Sequence, residues 1–171
     1  MRDFVKKRVL PERSRYVETV EFDKQALEKS FAELAQLLIG DSERVKQFMS
    51  KVRVDSMELI DDSWYDLYEV LLSCNVAADL SLKIDKESLV DVVEKLAEPK
   101  GLNVNEASLD EDGFSTQWIE VINSSWQGYS LIDIDIGTDY YVLLVLSDEE
   151  FKRAEALSRM LFHRMVLAEK A

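Results

Sequence analysis

The sequence is poor in the residues that build metal centres and covalent cross-links. Its 171 residues include one cysteine, Cys74, and one histidine, His163. A single cysteine excludes a disulfide within the chain and a zinc site with several cysteine ligands. A single histidine excludes histidine-rich metal sites. Glycine-rich phosphate loops, G-x-S-x-G elbows and H-E-x-x-H motifs are also missing. We therefore assign no catalytic residue, no metal ligand and no cofactor.

Long apolar runs are missing as well. The longest, such as residues 140–146, are far shorter than the ~20 residues that a helix needs to cross a bilayer. No apolar run of the signal-peptide kind follows the basic N-terminus. We therefore expect a cytoplasmic protein without membrane contact, and the lone cysteine agrees with that compartment. Apolar residues make up 47% of the chain, enough for a folded core.

Positive charge is scarce in the middle of the chain. Residues 55–150 contain four Lys, no Arg and 23 Asp or Glu, a net charge of −19, whereas the whole chain carries −13. The segments on either side are mildly basic. Because phosphate backbones are held by clustered Lys and Arg, this distribution excludes general nucleic-acid binding. A strongly negative surface attracts a basic protein instead.

The pattern of apolar residues divides the chain into an arm and one domain. Residues 1–22 show no clean period, which predicts an N-terminal arm with a short extended piece over 16–22. Residues 23–171 are expected to form a single α+β domain. Its first part, residues 23–62, is predicted to be a helical lead-in to a core over residues 63–171.

Apolar residues at helical spacing predict six helices. They begin after Asp23, after Asp41 or Ser42, near Asp62, after Asp85, near Ser115 and after Ser147, where Ser147 and Glu150 form a capping box. The last helix is expected to continue as far as Met165, because apolar residues keep recurring at helical spacing up to that point.

Alternating patterns predict the strands. Strands are expected near residues 78–82, 102–104, 129–136 and 140–146. The last two form a hairpin with a tight turn at Gly137-Thr138, and the continuously apolar return strand is expected to be central. These elements predict a small, mostly antiparallel sheet with helices packed mainly on one face.

Two longer patterns occur in the second part of the chain. One is Trp64-x-x-Leu67-Tyr68-Glu69 before the strand near Ala78; the other is Gly128-Tyr129-x-Leu131 leading into Ile134-Asp135-x-Gly137-x-Asp139-x-Tyr141. Between Ser63 and about Met160, the chain resembles a widespread bacterial family of unknown function. The first sixty residues are not matched. The resemblance implies a cytosolic bacterial protein with this fold. It implies no activity and no functional residues.

Asp133, Asp135 and Asp139 form the most prominent acidic cluster. On a strand, Asp133 and Asp135 point to the same face, roughly 7 Å apart along the chain. Three carboxylates can hold Ca²⁺ or Mg²⁺, or contact a basic partner. The spacing is not that of an EF-hand, because Gly137 and Leu144 stand where that loop needs acids. The plain alternative is a solvated strand face whose acids deter edge-to-edge pairing.

Asp61-Asp62 and Asp110-Glu111-Asp112 are further acidic runs. Such runs are usually solvated helix starts, favoured by the positive end of the helix dipole. Together with the aspartate cluster they alternatively predict one negative surface that steers a basic protein, such as a toxin or nuclease. Our leading interpretation is therefore a non-enzymatic interaction module. In its sharpest form it is a toxin-neutralising, immunity-type protein whose eight acids pair with the cations of its partner.

Two alternatives come from other classes of protein. A small metal-dependent enzyme would use the aspartates at 133, 135 and 139. A dimerising scaffold would use the C-terminal helix to form a homodimer. That helix is expected to be apolar on more than one face, because Phe162, Val166 and Leu167 join Leu161 and Met165.

Cys74 and His163 offer little support for nucleophilic catalysis. Cys74 has no basic neighbour in sequence to lower its pKa, which favours a small buried apolar residue. His163 lies between Phe162 and Arg164, which favours a surface or packing role.

Overall fold

The structure is a computed structural model that describes residues 22–171. The predicted N-terminal arm therefore lies outside the described residues, apart from Phe22. The helices in this range are α1 Lys24–Ile39, α2 Ser42–Met49, α3 Met57–Ser73, α4 Lys86–Ala97, α5 Ser115–Ser125 and α6 Asp148–Met160. The strands are β1 Ala77–Ser81, β2 Tyr129–Ile134, β3 Tyr140–Ser147 and β4 Met165–Leu167. Short 3-10 turns occupy Glu98–Lys100, Glu106–Ser108 and Ala168–Lys170.

The four strands form one antiparallel sheet in the order β1-β3-β2-β4. β2 and β3 form the predicted hairpin, in which Tyr129 is opposite Ser147 and Asp133 is opposite Leu143. β3 has neighbours on both sides, which confirms its predicted central place. Its apolar side chains alternate between the two faces of the sheet, so both faces need a cover.

Helices cover both faces of the sheet. α1, α2, α3 and α6 share a buried core with one face, which includes Ile132, Val142 and Leu144. α4 and α5 share a second core with the opposite face, which includes Leu131 and Leu143. The predicted α+β class with an antiparallel sheet is confirmed. Four of the six helices described here lie on one face, and the other face is closed by the remaining two.

The helices begin where the sequence provides caps. The side chains of Asp23, Asp41 and Asp85 accept from backbone N–H groups three residues later, at 2.9–3.0 Å. Ser147 and Glu150 form the predicted capping box. Such caps typically contribute about 1 kcal/mol each. α3 begins earlier than predicted, at Met57, because the hydroxyl of Ser56 caps it.

The predicted extension of the last helix to Met165 is wrong. α6 ends at Met160, and Phe162 has a left-handed backbone with φ of 63°. The N–H of His163 then donates to the carbonyl of Ser158 at 2.9 Å, which closes the helix end. The chain turns into β4, where Met165 is buried as a strand residue. The broad apolar helix surface that motivated the homodimer is therefore not formed.

Two smaller predictions about the chain between helices are also wrong. Residues 102–104 are not a strand, although Leu102 and Val104 do pack into the core beside α4 and α5. The hairpin turn is longer than expected, since residues 135–139 form a loop rather than a two-residue turn. In this loop the side chain of Asp135 accepts from the N–H of Gly137 at 2.8 Å, and Gly137 has φ of 72°.

Candidate functional site

The β2–β3 loop lies at the same end of the sheet as the first turns of α3, α4 and α5. β1 ends with Ser81 opposite Tyr140, beside this loop, and α4 begins five residues later. Contacts join the segments. The indole Nε1 of Trp64 on α3 donates to the carbonyl of Asp135 in the loop at 3.0 Å. The hydroxyl of Ser115 on α5 donates to the carbonyl of Leu82, just after β1, at 3.0 Å.

We call this part of the molecule the acidic end. It comprises residues 57–66, 82–87, 110–115, 133–141 and 160–166. All eight predicted site residues lie in it, although they come from separate parts of the sequence. Seven of them are exposed: Asp61, Asp62, Asp110, Glu111, Asp112, Asp135 and Asp139. The fold therefore brings together acids whose convergence could not be read from the sequence.

Asp133 is the exception, because it is buried. Its side chain is on the face that α4 and α5 cover, and only 6% of the residue is exposed. Its Oδ1 accepts from the N–H of Val142 at 2.8 Å, next to the end of the ladder. The pKa of Asp133 is raised to about 6, chiefly by burial and also by the charge of Asp135, while the bond from Val142 and the charge of Arg164 act in the opposite direction. The expectation of a solvated face shared by Asp133 and Asp135 is thus wrong for Asp133.

The aspartate cluster does not form a metal centre. Across residues 22–171, no group of three or more His, Cys, Asp or Glu side chains is arranged to hold a metal ion. Asp133 is inside the protein, whereas Asp135 and Asp139 are at the surface. This arrangement gives no support to the alternative of a metal-dependent enzyme.

A cleft of about 780 Å³ opens on one side of the acidic end. It lies between α3, the β2–β3 loop and the turn after α6. Its lining includes four carboxylates, from Asp61, Asp62, Asp66 and Asp135, and one guanidinium, from Arg164. Trp64, Tyr65, Phe162 and His163 supply rings. We call it the Trp64–His163 cleft.

The floor of the Trp64–His163 cleft is a stack of two rings. The rings of Trp64 and His163 are nearly parallel, with an interplanar angle of 5° and centroids 4.5 Å apart. Trp64 is also bonded to the loop through Asp135, so α3, the loop and the turn after α6 are held together. No pattern in the sequence predicts this contact, because it depends on the left-handed turn at Phe162.

His163 is mostly buried and unpaired within the described chain. Its Nε2 lies 3.3 Å from Oδ1 of Asp61, but not in the direction that a hydrogen bond requires. Burial lowers the pKa of His163 below its ordinary value, and the charges of Asp61 and Asp135 partly oppose this. Burial therefore disfavours a positive charge on His163, a charge that would offset part of the cleft's negative charge.

A smaller recess of about 180 Å³ adjoins this cleft. Asp135 and Arg164 line both spaces, so the two lie side by side. Asp133, Asp139 and Tyr140 contribute to the smaller recess. The loop before α5, which carries Asp110, Glu111 and Asp112, leads to Ser115, whose hydroxyl donates to the carbonyl of Leu82 beside the recess. Of these, Glu111 pairs with Lys86 at the start of α4.

Exposed apolar side chains are concentrated at the same end. Eight large ones are exposed in residues 22–171, and seven of these belong to the acidic end. They are Met57, Tyr65, Leu82, Phe114, Tyr140, Met160 and Phe162, each 40–59% exposed. The eighth is Val121 on α5. This feature is not visible in the sequence, because the exposure of an apolar residue depends on where its neighbours lie after folding.

Cys74 lies away from the acidic end, just after the last residue of α3. It is half-buried rather than fully buried, and its Sγ is 2.7 Å from Nη1 of Arg44 on α2. The sequence did not show this basic neighbour, which is thirty residues away along the chain. His163 stacks on the first half of α3, so Cys74 and His163 do not form a nucleophile and base pair.

The comparisons with known proteins identify a family and no activity. No helix within residues 22–171 combines the length and hydropathy needed to span a bilayer. Comparison with curated proteins and with solved structures gave no match. One family profile matches, over residues 19–168, so it includes α1 and α2 as well as the residues of the expected resemblance. The chain therefore belongs to the family described as a domain of unknown function, DUF6630.

Proposed function

We propose that this protein is a non-enzymatic interaction module whose acidic end binds a basic partner protein. One observation carries the proposal: seven exposed acids and seven exposed large apolar side chains occupy the same end of the molecule. Protein interfaces combine buried aromatic anchors with a charged rim, and exposed apolar residues concentrated in one region mark contact surfaces. The negative charge would attract and orient the partner, and the aromatic side chains would hold it.

A purely structural role does not account for all these acids. Acids near helix N-termini stabilise the helix, and Asp85 caps α4 in this way. The side chains of Asp62, Asp112 and Asp139, however, make no hydrogen bond or ion pair within the described chain, although the acidic end offers Lys83, Lys86 and Arg164 as cations. Three unpaired carboxylates beside exposed aromatic rings favour an external cation as their partner.

The sharpest form of the proposal is a toxin-neutralising, immunity-type protein in a bacterial cytoplasm. A nuclease toxin must present cations to its phosphate substrate, and those cations are the groups that this surface would cover. Neutralisation would then be occlusion, without chemistry by this chain. The lone, unpaired cysteine agrees with the cytoplasmic setting.

The test is a quantitative pull-down from the native host with two matched variants. The acidic-end variant replaces Asp62, Asp112 and Asp139 with Asn. The control variant replaces Glu94, Glu98 and Glu149 with Gln; these exposed acids lie at the opposite end, where Lys100 contacts Glu150. Both variants change the net charge by the same amount, so only the location of the charge differs.

A basic protein should be retained at low salt and released at high salt. Three exposed charges at roughly 0.5 kcal/mol each amount to about 1.5 kcal/mol, so the acidic-end variant should bind about tenfold more weakly. The control variant should bind like the natural chain. Equal losses in both variants would assign binding to net charge alone, and unchanged binding by both would remove the acidic end as the binding surface.

A further inference from the structure

We propose that the Trp64–His163 cleft binds an alkylguanidinium group, either the side chain of an arginine on the partner or a free small molecule. The inference rests on the proposed function, because it assigns to one cleft of the acidic end the group that it recognises. Three features of the cleft carry it: its charge, its exposed rings and its fixed floor.

The charge of the cleft favours a cation. Four carboxylates face one guanidinium, that of Arg164, across about 780 Å³. One positive charge offsets only one of the four negative charges, so the cleft has a net excess of three carboxylates. The side chain of Asp61 is 62% exposed, and one oxygen of Asp135 has no partner within the described residues, because only Oδ1 accepts from Gly137. These two carboxylates are available to an entering ligand.

The rings at the mouth favour a planar cation over an ammonium group. Tyr65 and Phe162 are 44% and 54% exposed, and both line the cleft. A guanidinium group stacks on aromatic faces while its N–H groups donate to carboxylates in a fork, and it is less strongly hydrated than an ammonium group. A cleft lined by both rings and carboxylates therefore suits arginine better than lysine.

The floor is fixed before a ligand arrives. The stack of Trp64 on His163, the bond from Trp64 to the Asp135 carbonyl and the bond from Gly137 to the Asp135 carboxylate hold α3, the loop and the turn together. A fixed site loses little conformational entropy on binding. The volume also lies within the range of small-molecule sites, so a guanidinium and part of its alkyl chain fit.

The test titrates the full chain with Nα-acetyl-arginine amide, and with Nα-acetyl-lysine amide as the ammonium control. Calorimetry at low salt gives affinities, and amide chemical shifts of Gly137 and His163 locate the site. The blocked arginine should bind with a Kd on the order of 1 mM and at least threefold more tightly than the blocked lysine. Butylguanidinium, which carries the same single charge as the blocked arginine, forms a third arm. Tighter binding of butylguanidinium indicates a free ligand, and tighter binding of the blocked arginine indicates a protein side chain.

Variants decide whether the cleft is responsible. Asp61→Asn and Asp135→Asn should each weaken binding about threefold or more, whereas Glu94→Gln, on the exposed side of α4, should not change it. Asn at position 135 keeps the oxygen that accepts from Gly137. If that variant were misfolded, Asp61→Asn would still provide the test. Equal binding of arginine and lysine probes, or equal effects of Asp61→Asn and Glu94→Gln, would overturn the inference.

The two proposals fail in different ways. A retained partner with no binding of the small guanidinium probes would leave the acidic end as the interface and remove the guanidinium site. Binding of the probes with no salt-dependent partner would keep the guanidinium site and remove the interaction module.

Discussion

Replacing the buried Asp133 with Asn should make the protein more stable at neutral pH and have less effect in acid. The carboxyl of Asp133 is buried beside the end of the β2–β3 ladder, where charging it is costly. Asn has nearly the same shape, stays neutral at every pH and keeps an oxygen that accepts from the N–H of Val142. The substitution therefore removes the charge and little else.

The size of the effect follows from the pKa. Burial raises the pKa of Asp133 from 3.8 to about 6, and each unit corresponds to about 1.4 kcal/mol. Because the folded-state pKa is the higher one, the stability from this group is fully present below pH 3.8 and is lost as the pH rises through about 6. Between about pH 4.5 and about pH 7.5, Asp133→Asn should gain about 2 kcal/mol relative to the natural chain.

Urea unfolding of both proteins at several pH values measures this change. Asp139→Asn serves as the control, since Asp139 is an exposed acid in the adjoining loop. The control should differ from the natural chain by a constant amount, within about 0.5 kcal/mol. A stability difference for Asp133→Asn that stays flat over this pH range would refute the argument that burial controls the charge of Asp133.

Three further substitutions test contacts at the acidic end, and a fourth, at Gly101, serves as a control elsewhere. Gly113→Ala should destabilise the protein by about 1–3 kcal/mol in urea unfolding, because the added Cβ would lie 2.6 Å from Nε1 of Trp118. At Gly101 an added Cβ would meet no atom within 4 Å, so Gly101→Ala should cost about 1 kcal/mol through the backbone φ of 69° alone. Trp64→Phe should lower the melting temperature by removing the bond to the β2–β3 loop, at a cost of about 1 kcal/mol, and an unchanged melting temperature would contradict the role of that bond. The pKa of His163 is lowered by burial, so the natural chain should lose stability relative to His163→Gln as the pH falls below 6.5. If the free energies of unfolding of both proteins changed with pH in parallel, burial of a neutral His163 would be excluded as a source of stability.

The parts of the fold that depend on local chemistry were predictable from the sequence. Asp23, Asp41 and Asp85 cap their helices as expected, because an N-cap involves only residues three positions apart. β3 is apolar on both faces, and it is central in the sheet. The end of α6 was not predictable in this way. Phe162 adopts a left-handed backbone that usually indicates Gly or Asn, so the sequence carried no stop signal.

The candidate site was predictable only in part. The eight acids could be named from the sequence, but their meeting at one end of the sheet depends on the pairing of distant strands and on contacts such as that between Trp64 and the β2–β3 loop. The burial of Asp133 could not be predicted from the sequence. An acid in a strand with an alternating pattern is expected to face solvent unless the sheet is known to be covered on both faces. The ring stack of Trp64 on His163 joins residues 99 positions apart and left no local pattern.

The order of the strands also limits how another protein can bind. The outer strands of the sheet are β1, with five residues, and β4, with three. β1 carries the exposed Asp79, whose carboxylate accepts from the hydroxyl of Tyr68, and β4 runs straight into the 3-10 turn Ala168–Lys170. Short, charged or interrupted edges are poor templates for an added strand. The edges therefore disfavour both binding by strand addition and aggregation through open sheet edges. A partner protein must then be recognised through side-chain contacts.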